Sequence, residues 1–233
     1  FEFIPYLLSK CASVRQAEEE LKNMNVTDTP FSADLPVADL HWIISDKEKS
    51  ITVEYTREGV NIYDNHIGIL TNNPPFDMQL FNLNNYINLT PEQPHNRFSE
   101  NINLDLYSLG MGAIGLPGDC SSQSRFVRAA FNKLNSVTGE GETDGVNQFF
   151  HILGGVQFSR GCCKGVNDYE ITVYTSCYDI EKGIYYYDIE SSNQWEQMDA
   201  AVLKITGNYK VAAITVAKEK DSINVILVRY IIL

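Results

Sequence analysis

The chain has 233 residues, 44% hydrophobic and 21% charged, which is the composition of one large globular domain with a substantial core and argues against disorder. Its 18 basic against 30 acidic residues leave a formal charge of -12, which argues against a surface built to neutralise nucleic-acid phosphate or to adhere to anionic lipid. The five cysteines are odd in number with no CxxC pair, no apolar run reaches the roughly 20 residues that cross a bilayer, and no signal-peptide pattern opens the chain. The expectation is a cytoplasmic protein without a disulfide framework, a metal site or a cofactor.

The elements follow in chain order. Residues 1–8 are expected to form a buried helix. A second helix over 14–24 is marked by Ser13 and Gln16 at capping-box spacing, by Glu18, Glu19 and Glu20 in its N-terminal half, and by an apolar stripe of Val14, Ala17, Leu21 and Met24. From residue 40 to residue 70 the period changes to two. Four short strands are expected at 40–45, 51–55, 60–63 and 67–70, joined by Asp46 to Ser50, Arg57-Glu58-Gly59 and Asp64-Asn65 into an antiparallel meander. Residues 76–86 return to helical spacing, with Phe76, Leu80, Leu83 and Ile87 on one face.

Residues 109–119 are glycine-rich and irregular. They lack the GxxxxGK[ST] spacing and the lysine of a phosphate loop, so no nucleotide site is expected there. A helix follows over 121–134 with Phe126, Ala129, Ala130 and Leu134 inward. Residues 139–145 read as a polar break and 146–156 as another helix, inside which His151 is expected to be a satisfied core residue. Residues 169–177 and 183–189 read as a hairpin across Asp179 to Lys182. Helices and antiparallel strands in alternating blocks predict a layered α+β domain.

Two positions carry chemistry that the residues alone leave open. Asn72, in Leu70-Thr71-Asn72-Asn73-Pro74, is either a turn residue at a strand end or a side-chain amide aimed at a developing oxyanion. Arg125 is either solvated or paired with Asp119, or it is a buried cation that stabilises charge and orients a substrate carbonyl. Cys120 precedes the helix of Arg125, where a thiolate is favoured, but a free cysteine is more commonly a small apolar residue. Cys162-Cys163 reads as loop or surface.

These segments resemble the choloylglycine hydrolase family. The resemblance runs through Leu40-His41-Trp42-Ile43-Ile44-Ser45-Asp46, Val53-Glu54-Tyr55-Thr56, Tyr63-Asp64-Asn65, Leu70-Thr71-Asn72-Asn73-Pro74 and Gln79-Leu80-Phe81-Asn82-Leu83-Asn84. Gly110-Met111-Gly112, Leu116-Pro117-Gly118-Asp119, Ser124-Arg125-Phe126, Phe149-Phe150-His151-Ile152-Leu153, Tyr174-Thr175-Ser176-Cys177 and Lys182-Gly183-Ile184-Tyr185-Tyr186-Tyr187 follow in the same order.

The resemblance implies an αββα sandwich of the N-terminal-nucleophile type, incomplete at its N-terminus. Residues 1–195 would be the central and C-terminal part of one domain, and 196–233 a divergent or decayed tail. In that family an N-terminal Cys attacks the substrate amide with its own α-amino group as base. The resemblance carries over two catalytic residues, Asn72 as an oxyanion donor and Arg125. The nucleophile segment has no counterpart here, so the chain alone is expected to be inactive. The implied activity of the intact protein is hydrolysis of glycine- or taurine-conjugated bile salts, with penicillin V acylase activity as one alternative. The other is a non-catalytic fragment or half of a split protein. The implied partners are a conjugated bile salt or another N-acyl amide and, by resemblance, further copies of the chain in a tetramer.

Overall fold

The computed structural model describes residues 2–33, 36–37, 39–166, 168–180, 182–189 and 195–199, together with short strands at 218–219, 222–223 and 226–228. Helix α1 spans Phe3–Lys10 and α2 spans Val14–Asn23. The capping residues expected for α2 hold it: the Gln16 amide donates to Ser13 Oγ at 3.3 Å, and the Ala12 amide donates back to Gln16 Oε1 at 2.6 Å.

Strands β1 (His41–Ser45), β2 (Ser50–Thr56) and β3 (Gly59–Asp64) form the antiparallel meander, with Trp42 opposite Val53 and Val53 opposite Ile62. Asp46 in the β1–β2 turn accepts from the Glu48 and Lys49 amides through one oxygen and from the Val14 amide through the other, so the turn also caps α2.

Period two divides this sheet into two unlike faces. Trp42, Ile44, Ile51 and Val53 lie on one side with Phe3, Leu7, Leu8, Val14, Ala17 and Leu21 of the helices, all of them buried. Phe3 stacks on Trp42 with ring centroids 4.0 Å apart, and Tyr55 meets both rings edge-on. Burying each large aliphatic residue there contributes about 1.5–3 kcal/mol. The opposite face carries Thr52 and Glu54, also buried but polar. Both must therefore be hydrogen-bonded, and both are used to hold the segment that follows β3.

That segment differs from expectation. Residues 67–70 are not a strand but a turn tied by Asn65, whose Nδ2 donates to Thr52 Oγ1 and to the Ile69 carbonyl (both 2.9 Å) while its Oδ1 accepts from the Gly68 amide at 2.8 Å. Gly68 sits at φ +66°, a conformation that suits glycine. Three bonds at one Asn side chain, two within the turn and one to β2, stand in place of a strand ladder here.

Helix α3 (Phe76–Asn82) continues into a 3₁₀ turn over Leu83–Tyr86. Its buried residues are Phe76 and Gln79. Leu80 and Leu83 are half-buried and Ile87 is exposed, so the inward face is rotated from the apolar stripe. Helix α4 (Ser122–Asn135) buries Phe126, Ala129 and Ala130 as expected, but Leu134 is exposed, and Ser124, Arg125 and Val127 are buried instead.

Helix α5 (Glu142–Gly154) begins inside the expected polar break because Gly141 turns the chain at φ +102° and Glu142 is fixed by Lys182 and Tyr186. His151 lies on the exposed side of α5 and is not a core residue. Strands β4 (Tyr174–Asp179), β5 (Ile184–Ile189) and β6 (Trp195–Asp199) form a second antiparallel sheet, with Cys177 opposite Tyr186.

Beyond it, β7 (Lys218–Glu219) pairs with β8 (Ser222–Ile223), and β9 (Ile226–Val228) adds antiparallel to the edge of β1. Residues 211–217 of the expected divergent tail, rich in Val, Ile and Ala, lie outside the described residues. The fold is α+β, with helices packed on antiparallel sheets, and no helix among the described residues is long and apolar enough to cross a membrane.

Candidate active site

The polar face of the first sheet delivers the segment of Asn72. Glu54 Oε1 accepts from the Phe76 amide at 3.0 Å and lies 3.3 Å from His41 Nδ1, which fixes where α3 begins. Phe76 packs on Tyr63 and, edge to face, on Phe126 of α4, with ring centroids 5.7 and 6.1 Å apart. Residues 71–75 are thereby laid against the start of α4, 47 or more residues further along the chain. The Asn73-Pro74 peptide within this segment is cis.

Arg125 and Asn72, the two candidates from the sequence, meet there. Arg125 is only 8% exposed, yet its Nη2 donates to Asn72 Oδ1 at 2.6 Å and its Nε to the Cys120 carbonyl at 3.2 Å. Its guanidinium also lies 5.0 Å over the centre of the Phe158 ring. A guanidinium has no acceptor, so it must face the oxygen end of the Asn72 amide. The NH2 end is then turned away from Arg125 as a donor of fixed direction.

Asp119 is not the partner of Arg125. Hydrogen bonding by the Ser121 and Ser124 side chains, with the Ser121 amide donating at 2.9 Å, holds its carboxyl well below the usual carboxylate range. Arg128 serves the scaffold instead, donating to the carbonyls of Pro117, Asp119 and Gly155 at 2.7–2.9 Å. Two arginines one turn apart thus divide the work. Among the described residues, Arg128 binds main-chain carbonyls only, whereas Arg125 binds one carbonyl and the Asn72 side chain.

Sequence reasoning passed over the residues that join the two segments. Thr71 Oγ1 donates to the Ser122 carbonyl at 3.1 Å, and Ser122 Oγ donates to Thr71 Oγ1 at 3.0 Å. Gln79 Nε2 reaches Thr71 Oγ1, the Asn72 carbonyl and Ser122 Oγ at 3.1–3.3 Å. The available signal was a glutamine placed three residues after Phe76, on the side of the helix that turns inward.

The thiols differ in environment. Cys120 is half-buried just before α4, and Cys162 is exposed. Burial pushes the Cys11 thiol up and, helped by Asp179, pushes Cys177 up to about 12. Among the described residues, no three or more His, Cys, Asp or Glu side chains gather as a metal site would require.

Comparisons with known proteins give this geometry a context. The bile salt hydrolase/transferase of Lactiplantibacillus plantarum is 52% identical over 195 residues, which cover 83% of this chain and 60% of that protein. The bile salt hydrolase/transferase of Clostridium perfringens is 40% identical over 211 residues, covering 89% and 64%. The chain therefore spans 60–64% of the length of these curated relatives.

The crystal structure of a Cys-to-Ala mutant of the Clostridium perfringens conjugated bile acid hydrolase superposes with a TM-score of 0.79 at 36% identity, covering 99% of this chain and 66% of that one. Penicillin V acylase from Agrobacterium tumefaciens, at TM-score 0.61 and 22% identity over 87% of this chain and 56% of that one, shares the fold. The family model for linear amide C–N hydrolases of the choloylglycine hydrolase type matches residues 1–211, and the chain belongs to that family.

Proposed function

We propose that the protein, in its complete form, hydrolyses the amide bond of glycine- or taurine-conjugated bile salts, with Asn72 donating to the oxyanion and Arg125 holding Asn72 in place. The observation that carries this reading is the 2.6 Å bond from a buried guanidinium to Asn72 Oδ1, which sets the direction of the Asn72 donor before any substrate arrives. A donor fixed in advance costs no reorganisation as charge develops on the carbonyl oxygen. The relatives named as bile salt hydrolases support the choice of substrate. The αββα sandwich belongs to the same reading, supported by the likeness to the conjugated bile acid hydrolase.

The attacking thiol in this reading is the N-terminal cysteine of the family mechanism, and the chain by itself is inactive. One observation supports that: burial pushes the Cys11 and Cys177 thiols away from the thiolate form. A cytoplasmic location and self-association into a homo-oligomer complete the proposal. The latter is supported by exposed Phe98, Tyr107 and Leu109 on one loop.

The test is turnover of glycocholate, taurocholate and penicillin V, side by side, by the protein expressed from its complete reading frame. The expected result is preference for the bile salts and a fall of about 10²–10³ in kcat for Asn72→Ala. Unchanged turnover in that variant would remove Asn72 from the mechanism.

A further inference from the structure

Gln79 is 2% exposed and lies on the buried side of a helix of only seven residues. Burying an amide is costly where it is not hydrogen-bonded, and here only the nitrogen is: Oε1 is buried without a partner among the described residues, while Nε2 makes three contacts. All three lie on the two segments of the candidate site: Thr71 Oγ1 at 3.3 Å and the Asn72 carbonyl at 3.2 Å on one, Ser122 Oγ at 3.1 Å on the other. The Asn72 carbonyl can only accept, which fixes the NH2 end of the amide on this side. The two hydroxyls then order themselves around it, Ser122 donating to Thr71 and Thr71 to the Ser122 carbonyl.

We propose that Gln79 is a positioning residue: its side-chain NH2 clamps the Asn72 main chain to the first turn of α4, and so sets the distance between the Asn72 amide and Arg125. Gln79 faces the main-chain side of Asn72 while Arg125 takes its side chain. Asn72 is itself exposed, so these two buried groups supply the restraint that burial would otherwise give. A shift of about 1 Å in a group that must face a reacting atom costs on the order of a hundredfold in rate. The consequence for turnover rests on the function proposed above, whereas the clamp itself does not.

The experiment uses the protein expressed from its complete reading frame. Gln79→Met keeps the length of the side chain and removes its donors. Thr71→Val removes one hydroxyl of the clamp at constant shape, and it carries the test if Gln79→Met fails to fold. Two quantities are read for each folded variant: amide hydrogen exchange in peptides covering 71–76 and 121–126, and kcat and KM for glycocholate.

The expected result is faster exchange in both peptides, with kcat lower by about ten- to a hundredfold and KM within about threefold of the parent. Unchanged exchange overturns the clamp whatever the activity. Faster exchange with unchanged kcat overturns its role in turnover. If the parent hydrolyses neither glycocholate nor taurocholate, the proposed function has failed, and the exchange measurement alone decides the clamp.

Discussion

Two regions, the junction around Asn72 and Arg125 and the loop over residues 93–114, solve the problem of order in opposite ways. At the junction, buried groups from three elements converge: Phe76 and Gln79 from α3, Arg125 and Phe126 from α4, and Glu54 from β2. In the loop the hydrogen bonds stay local, with Gln93 Nε2 donating to the Ser108 carbonyl, the Met111 amide donating to Gln93 Oε1, and Asn96 Nδ2 donating to the Ile102 carbonyl. Its apolar side chains meanwhile face outward, Phe98 and Tyr107 at 82% exposure and Leu109 at 91%. The junction is made specific by satisfying polar groups away from water, and the loop is held in shape by itself while leaving apolar surface uncovered. A polar group placed inside must be satisfied, and that restricts its neighbours far more than an apolar residue outside does.

Substitutions can break this contrast. Phe126→Ala, at a fully buried ring packed on Phe76, is expected to lower unfolding free energy by about 3–5 kcal/mol in denaturant titration. A cost below about 1 kcal/mol would mean that the junction is not a packed unit. Ser121→Ala removes the hydroxyl that accepts from the Ser124 amide at the start of α4 and should cost about 1 kcal/mol in the same titration. Leu109→Ser should shift the stability of the subunit by less than about 0.5 kcal/mol, while weakening self-association in sedimentation velocity. A large loss of stability would place Leu109 in a core, and unchanged association would remove the loop from any interface.

Much of the framework was legible because the signals were local. The Ser13–Gln16 cap and the alternation through β1 to β3 each place an element within a few residues of its observed bounds. The errors share a cause. The expected strand at 67–70, the Leu80–Leu83–Ile87 stripe and an inward Leu134 all assume that apolar side chains decide direction. In each place a polar residue or a neighbouring element decides instead, such as Asn65 for the turn and Gln79 for α3. His151 was misplaced by the same logic, since an apolar helix sequence does not imply a covered helix. Asn72 and Arg125 could be nominated from motifs, but their 2.6 Å contact could not be, because it joins positions 53 residues apart.

That separation bears on how such a site can diverge. Asn72 and Arg125 are the two feet of a long excursion of chain, and the bonds between Thr71, Gln79 and Ser122 hold those feet together independently of the path between them. Closing a flexible loop costs only about 0.6 kcal/mol more for each doubling of its length. Insertions and deletions between residues 88 and 118 are therefore inexpensive: the excursion can change in length while the pair at its base stays where it is.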